Sequence, residues 1–169
     1  MTSFKFSLDP EQSQPWLAPM GKFILNFGGL ELISLMWIEE LGRDDLLLDL
    51  GADMPLSKRL DLVRVLVKRS RLEKDLEREV LDTWAAVERL AKIRNDLAHG
   101  PIIFGWHERE HSGSPDFVGS LNVRKLRAKD TTATPLVEFQ ALYDGVDETA
   151  RLASVLWDLL DRIPKAGSA

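Results

Sequence analysis

The spacing of apolar residues along the chain predicts helices. Apolar side chains recur every three or four positions over about 55–70, 73–99 and 134–163, which is the period of an amphipathic α-helix. The region 20–41 is apolar on nearly every face, so a helix there must be covered by core or by a partner chain. The pattern predicts a mainly α fold, in which about four main helices pack as an antiparallel bundle.

Residues that stop helices follow three of these segments. Gly42 follows the first, Gly100 and Pro101 follow the third, and Pro164 follows the last. Glycine is favoured just after a helix, and proline cannot continue one. These residues fix where we expect the helices to end.

The start of the last helix is expected at Thr134 and Pro135, because threonine is a good N-cap and proline is favoured at the first helical position.

We expect an irregular lead-in over 1–18 and a frayed tail over 164–169. A length of 169 residues fits one domain, so 1–169 is predicted to be a single domain.

A β-like insert is predicted between the third and last helices. The segments 102–106 and 117–123 are rich in β-branched and aromatic residues, and 112–116 has the Ser, Gly and Pro content of a loop. We therefore expect an inserted β-hairpin over 102–123.

The amino-acid composition argues against several kinds of site and binding surface. The chain has no cysteine, which excludes disulfides and thiolate metal sites. Its net charge of −5 argues against nucleic-acid binding by the whole surface, although a local basic patch remains compatible with it.

The composition of the region 20–41 argues against a membrane span. The region carries Lys22, Glu31 and Glu39, so it is too polar for a helix of about 20 mainly apolar residues. The first residues lack the basic start and apolar run of a signal peptide. We therefore expect no membrane partner and a cytoplasmic location.

The end of the third helix carries the candidate chemistry. At 100° per residue Arg94 lies within the apolar stripe, where a charge must be compensated. Arg94 therefore faces either an acidic partner in the core or a cleft where it can meet an anion. Asn95 and His99 are four residues apart and share a face beside that stripe.

These residue types suit phosphodiester chemistry. A guanidinium binds phosphate oxygens and stabilises the charge that develops in the transition state. A histidine can accept or donate a proton near neutral pH. RNA supplies its own nucleophile, the 2′-hydroxyl, so the reaction requires no metal and no other cofactor.

The run Arg94-Asn95-Asp96-Leu97-Ala98-His99 resembles the signature of the HEPN family. In that signature a polar residue follows an arginine, and a histidine comes after four to six intervening residues near the end of a bundle helix. The resemblance covers roughly 20–99 and 134–163, and leaves the 102–123 hairpin outside.

The HEPN resemblance implies a metal-independent endoribonuclease, often a toxin or antiviral defence effector, whose active site forms at a homodimer interface. It implies that Arg94 binds the scissile phosphate of an RNA substrate, that His99 is the general base or acid, and that Asn95 orients them. A toxin of this kind would have an antitoxin or regulatory protein as a partner.

Other interpretations of the same residues stay open. Some HEPN-like domains do not cleave, and the chain could bind nucleotide, RNA or protein instead. His99 could simply be favoured by the dipole at the end of its helix. Arg94 could pair with a core carboxylate such as Glu31 or Asp147.

A second motif, H-E-x-x-H at 107–111, matches the spacing of zinc hydrolases. The motif requires a helix, whereas His107, Glu108 and His111 lie between two strand-like segments with glycines close by. We interpret 107–111 as a charged hairpin loop and predict no metal site.

Two basic segments, 58–74 and 122–129, could contact an RNA backbone, although a solvated surface is the more frequent explanation for such runs. The candidate RNA-binding side chains are Arg64, Lys68, Arg71, Arg124, Lys125 and Arg127.

Overall fold

The computed structural model describes residues 10–99, 102–108, 117–123 and 134–164. In chain order the described elements are α1 (Pro10–Gly42), α2 (Asp45–Asp53), α3 (Leu56–Arg69), α4 (Lys74–His99), β1 (Ile102–Glu108), β2 (Phe117–Val123), β3 (Thr134–Glu138) and α5 (Phe139–Asp161). The prediction of a mainly helical protein is confirmed.

Helix α1 begins at Pro10, ten residues before the predicted start near 20. The expected irregular lead-in is therefore wrong over 10–18. Pro15 and Pro19 lie inside the helix although proline lacks the N–H that an interior position donates. Trp16 and Met20 are buried beside them, so we infer that packing of this face outweighs the poor helix propensity of proline.

The short helix α2 was not predicted. Asp44 is its N-cap, and the Asp44 carboxylate accepts a hydrogen bond of 2.9 Å from the N–H of Leu46. This is a standard way to satisfy the first N–H groups of a helix. The signal lay in the sequence as an aspartate before a leucine-rich run, but nine residues are too few to show a clear helical period.

The expected helix start at Thr134 and Pro135 is also wrong. These residues belong to β3, and α5 begins later, at Phe139. Pro135 pairs with Asn122 beside an irregularity in the register of β2 and β3. Proline is tolerated there because β3 lies at the edge of the described sheet, where a missing N–H costs least.

The three strands form an antiparallel sheet in the order β1-β2-β3. Strands β1 and β2 pair from Ile102 with Val123 to Glu108 with Phe117. Residues 109–116 lie outside the described residues.

The chain divides into two compact units. The first unit contains residues 1–24 and 92–147, and the second contains 25–91 and 148–169. In the first unit Phe23 is fully buried and Gly145 allows close packing, because an added Cβ at Gly145 would lie 3.1 Å from Phe23 Cε2.

The core of the second unit is built around two tryptophans. The rings of Trp37 and Trp84 meet edge to face, with their centroids 6.2 Å apart, and both side chains are fully buried. Trp37 Nε1 donates a hydrogen bond of 3.3 Å to the carbonyl oxygen of Leu156, which ties α1 to α5. Aliphatic side chains from α1, α3, α4 and α5 fill the rest of this core.

By length and composition, the segment Gln14–Gly42 of α1 could cross a membrane. The same test is passed by a core helix of a soluble protein, and the inner face of α1, including Phe27, Leu30 and Trp37, is fully buried in protein. The buried face accounts for part of the apolar character of α1, whereas Leu17, Leu25 and Leu32 of the same helix are exposed.

A buried arginine joins three helices of the second unit. Arg59 of α3 donates to the carbonyl oxygens of Gly51 and Glu31, each at 3.0 Å. It also donates to Ser34 Oγ at 3.3 Å and to the carbonyl oxygen of Met54 at 3.0 Å. Two of these carbonyl groups lie at the end of α2, where the helix dipole is negative and favours a cation.

Replacing Arg59 with alanine should lower the free energy of unfolding by about 2–4 kcal/mol, because it leaves buried carbonyl oxygens without donors. Urea unfolding followed by circular dichroism measures this change. Arg78→Ala is the matched control, since Arg78 pairs with Asp75 at the surface and such pairs contribute about 1 kcal/mol or less. Equal losses for the two variants would contradict the role assigned to Arg59.

Candidate active site

The motif residues Arg94, Asn95 and His99 lie in the last two turns of α4. The helix starts with Asp75 and Glu77 in its first turn, where the dipole favours acidic side chains. A rise of 1.5 Å per residue places Arg94 and His99 about 7.5 Å apart along the helix axis. The three residues therefore occupy a short stretch at one end of a long helix.

The buried face of α4 matches the predicted stripe along most of its length. The stripe residues that are buried are Leu76, Val80, Trp84 and Val87. Ala98 was predicted to continue the stripe, but it is exposed and Leu97 is buried in its place. The last turns of α4 belong to the first unit, so neighbours other than the core of the second unit determine which side is covered.

Arg94 is half-buried, and its Nη1 donates a hydrogen bond of 3.2 Å to Oδ1 of the exposed Asn95. The Asn95 amide is neutral, so this contact orients the guanidinium without cancelling its positive charge.

The Arg94–Asn95 contact determines the direction in which the guanidinium extends. Five residues at 100° each separate Arg94 from His99 by about 140° around the helix, so their Cα–Cβ bonds diverge. Asn95 and His99 differ by only about 40° and share a face. Because the guanidinium reaches Asn95 Oδ1, it extends toward the side of α4 on which position 99 falls.

The predicted RNA-binding residues have different surroundings. Arg64 forms ion pairs with Asp61, at 3.2 Å, and with Glu88, so its charge is largely compensated. Lys68 and Arg71 are exposed. The second predicted group, Arg124, Lys125 and Arg127, lies outside the described residues.

The H-E-x-x-H segment does not form the helix that its chemistry needs. His107 and Glu108 are the last two residues of strand β1, whereas the zinc-binding spacing requires a helix. His111 lies outside the described residues. Among the side chains that the structure describes, no group of three or more His, Asp and Glu residues could hold a metal ion.

A cavity of about 210 Å³ in the second unit was not predicted. It is lined in part by Glu40, Arg43, Ser70 and Leu72, and contains none of the motif residues. Arg43 donates to the carbonyl oxygens of Glu40 and Pro164, each at 3.4 Å. The guanidinium at this cavity therefore already has structural partners.

One surface ion pair of the second unit changes the ionisation of a carboxylate. Arg151 donates two hydrogen bonds of 2.7 Å to Glu148, and these bonds lower the pKa of Glu148. The nearby positive charge of Arg89 lowers the pKa further. Arg151 is consequently a cation that is already neutralised by a partner on the same helix.

A scan against models of protein families finds no match, and searches of curated proteins and of solved structures find none either. The resemblance to the HEPN family therefore rests on the motif and on its place at the end of a long helix.

Replacing Asn95 with alanine should change the free energy of unfolding by less than about 1 kcal/mol, because an exposed hydrogen bond contributes little to stability. Urea unfolding measures this effect. A loss above 2 kcal/mol would show that Asn95 is part of the fold and would make it unsuitable as a probe of chemistry.

Proposed function

We propose that this protein is a metal-independent HEPN-type endoribonuclease that acts through Arg94, Asn95 and His99. The observation that supports the proposal most directly is the hydrogen bond from Arg94 Nη1 to Asn95 Oδ1. It directs a cation toward the face that carries residue 99, where a phosphate would have to bind for both side chains to act on it.

In the proposed reaction His99 accepts the proton of a ribose 2′-hydroxyl. The 2′-oxygen attacks the adjacent phosphorus, the bond from phosphorus to the 5′-oxygen breaks, and the leaving oxygen takes up a proton. The products are a 2′,3′-cyclic phosphate and a free 5′-hydroxyl. Arg94 binds the phosphate oxygens and stabilises the additional negative charge of the transition state.

A homodimer would complete this site. By analogy with HEPN domains, two copies of the motif would face one cleft, so that one histidine acts as base while the second protonates the leaving oxygen. Asn95 would keep Arg94 oriented between these two steps. The resemblance also supports a role as a toxin or antiviral effector controlled by an antitoxin or regulatory protein.

Two further features belong to the same proposal. The paired strands over 102–123 would be a hairpin inserted into the helical bundle, outside the part that resembles HEPN domains. The protein would act in the cytoplasm, where its RNA substrate is found.

The proposal predicts cleavage of a mixed RNA pool by the intact protein in the presence of a metal chelator. His99→Ala should lower the rate by about 100-fold or more, since a general acid or base contributes factors of this size. Product ends are analysed for 2′,3′-cyclic phosphates, and the solution mass is compared with 19.1 kDa for one chain.

His107→Ala is the matched control, because it removes another histidine of the same chain and disrupts the H-E-x-x-H segment. It should leave cleavage unchanged. Cleavage that stops in chelator, or in His107→Ala but not in His99→Ala, would refute the proposed site in favour of a zinc hydrolase.

A binding module that does not cleave is the alternative favoured by the same contact, since an oriented guanidinium can also simply hold an anion. RNA or nucleotide that binds to folded protein without turnover, and binds more weakly to Arg94→Gln, would select this alternative.

A further inference from the structure

The turn between α3 and α4 carries a concentrated positive charge. Residues 68–74 include four cations and a single acid, Glu73, in a chain with a net charge of −5. We name this segment the 68–74 turn; its cations are Lys68, Arg69, Arg71 and Lys74, and all four are exposed. Within the part of the chain that the structure describes, none of them forms an ion pair or a side-chain hydrogen bond.

Most other cations of the second unit have a carboxylate partner. The distances are 3.8 Å for Lys58 and Asp61, 3.0 Å for Arg78 and Asp75, and 2.9 Å for Arg162 and Glu79. Arg64 and Arg151 are paired as described above. The exposed charge of the 68–74 turn is therefore not a general property of this surface.

The backbone at Arg71 is unusual. Its φ of 54° lies in the left-handed region, where an L-residue costs roughly 1–2 kcal/mol and glycine is favoured after a helix. Arg43 has a similar φ of 51°, but its guanidinium donates to two backbone carbonyl oxygens. The left-handed position of Arg71 follows the C-cap Ser70 and ends α3, and no described contact holds its guanidinium.

The 68–74 turn is anchored to the protein. The N–H of Ser70 donates to the carbonyl oxygens of Leu66 and Val67, and Ser70 Oγ donates to Val67 at 2.7 Å. Leu72 is buried in the core of the second unit. The backbone here is therefore already ordered, so a ligand that binds these cations would cost little conformational entropy.

We propose that the 68–74 turn binds the phosphodiester backbone of RNA. The inference rests on the proposed function, because RNA is the substrate proposed there. Contacts to phosphates need only well-placed cations and no shaped pocket. Protein interfaces are instead built on an apolar centre, and Leu72, the apolar residue of this turn, is buried in the core, so they fit this surface less well.

The test measures binding of a single-stranded RNA oligonucleotide by fluorescence anisotropy between 50 and 200 mM salt, in a His99→Ala background that prevents cleavage. The first variant combines Lys68→Gln, Arg69→Gln and Arg71→Gly. Each lost phosphate contact lowers the dependence of log K on log salt by about 0.7, so the slope should fall by about 2. Affinity should fall about tenfold or more.

The matched control combines Lys58→Gln, Arg78→Gln and Arg151→Gln, which removes the same total charge from cations that already have partners. Its affinity should change less than about threefold, because distant surface charges are screened. If both triple variants lost RNA affinity equally, the loss would follow from net charge alone and the proposal would be overturned.

Arg71→Gly alone separates a binding role from a structural one. Glycine relieves the left-handed backbone, so the variant should be as stable as the parent or more stable, while RNA affinity falls severalfold. A loss of stability together with unchanged affinity would assign Arg71 to the fold and overturn its proposed role.

The remaining outcomes distinguish this proposal from the proposed function. If the triple variant built on active protein binds and cleaves RNA as well as the parent, the turn proposal fails and the nuclease stands. If the turn variant loses binding but the parent never cleaves RNA, the nuclease fails and the turn stands. If the parent binds polyglutamate and no RNA, the turn serves an acidic protein and the proposal is wrong.

Discussion

The geometry of the second unit depends on where one guanidinium is buried. The N–H groups of Arg59 donate to carbonyl oxygens of α1 and of the end of α2, and to a serine hydroxyl. These contacts stabilise a full positive charge, and no carboxylate is among them. An arginine suits this position because its planar group offers five N–H donors in fixed directions. The contacts fix α3 against α1 and α2, and α3 in turn determines where the 68–74 turn begins.

Four arginines of this chain show how differently one side chain can be used. Arg59 is surrounded by backbone dipoles, Arg64 by two carboxylates, and Arg94 donates to a neutral amide, whereas Arg71 is exposed in a strained backbone. The first two arrangements compensate the charge inside the fold. The functional proposals rest on Arg94, which an amide orients, and on Arg71, which is exposed at an anchored turn.

The sequence was informative where a long helix buries one regular stripe. The end of α4 at His99 was predicted correctly, and so was most of its buried face, because Leu76, Val80, Trp84 and Val87 repeat at the helical period. Predictions failed where tertiary packing determines the secondary structure. Buried Trp16 accompanies a helix that continues through two prolines, and pairing with β2 makes Thr134 the start of a strand. These contacts join residues that are far apart in the sequence, so no local sequence pattern predicts them.

The candidate site shows the same difference between what sequence spacing predicts and what side-chain contacts add. Sequence spacing places Asn95 and His99 on one face and turns Arg94 about 140° away from His99. A helical wheel therefore separates Arg94 from His99, and the contact with Asn95 turns the guanidinium toward the side of α4 on which position 99 falls. The polar residue after the arginine thus has a physical reason to belong to the motif: it redirects the cation. Because an amide is neutral, this contact orients the guanidinium without placing a negative charge beside it, as an aspartate at position 95 would.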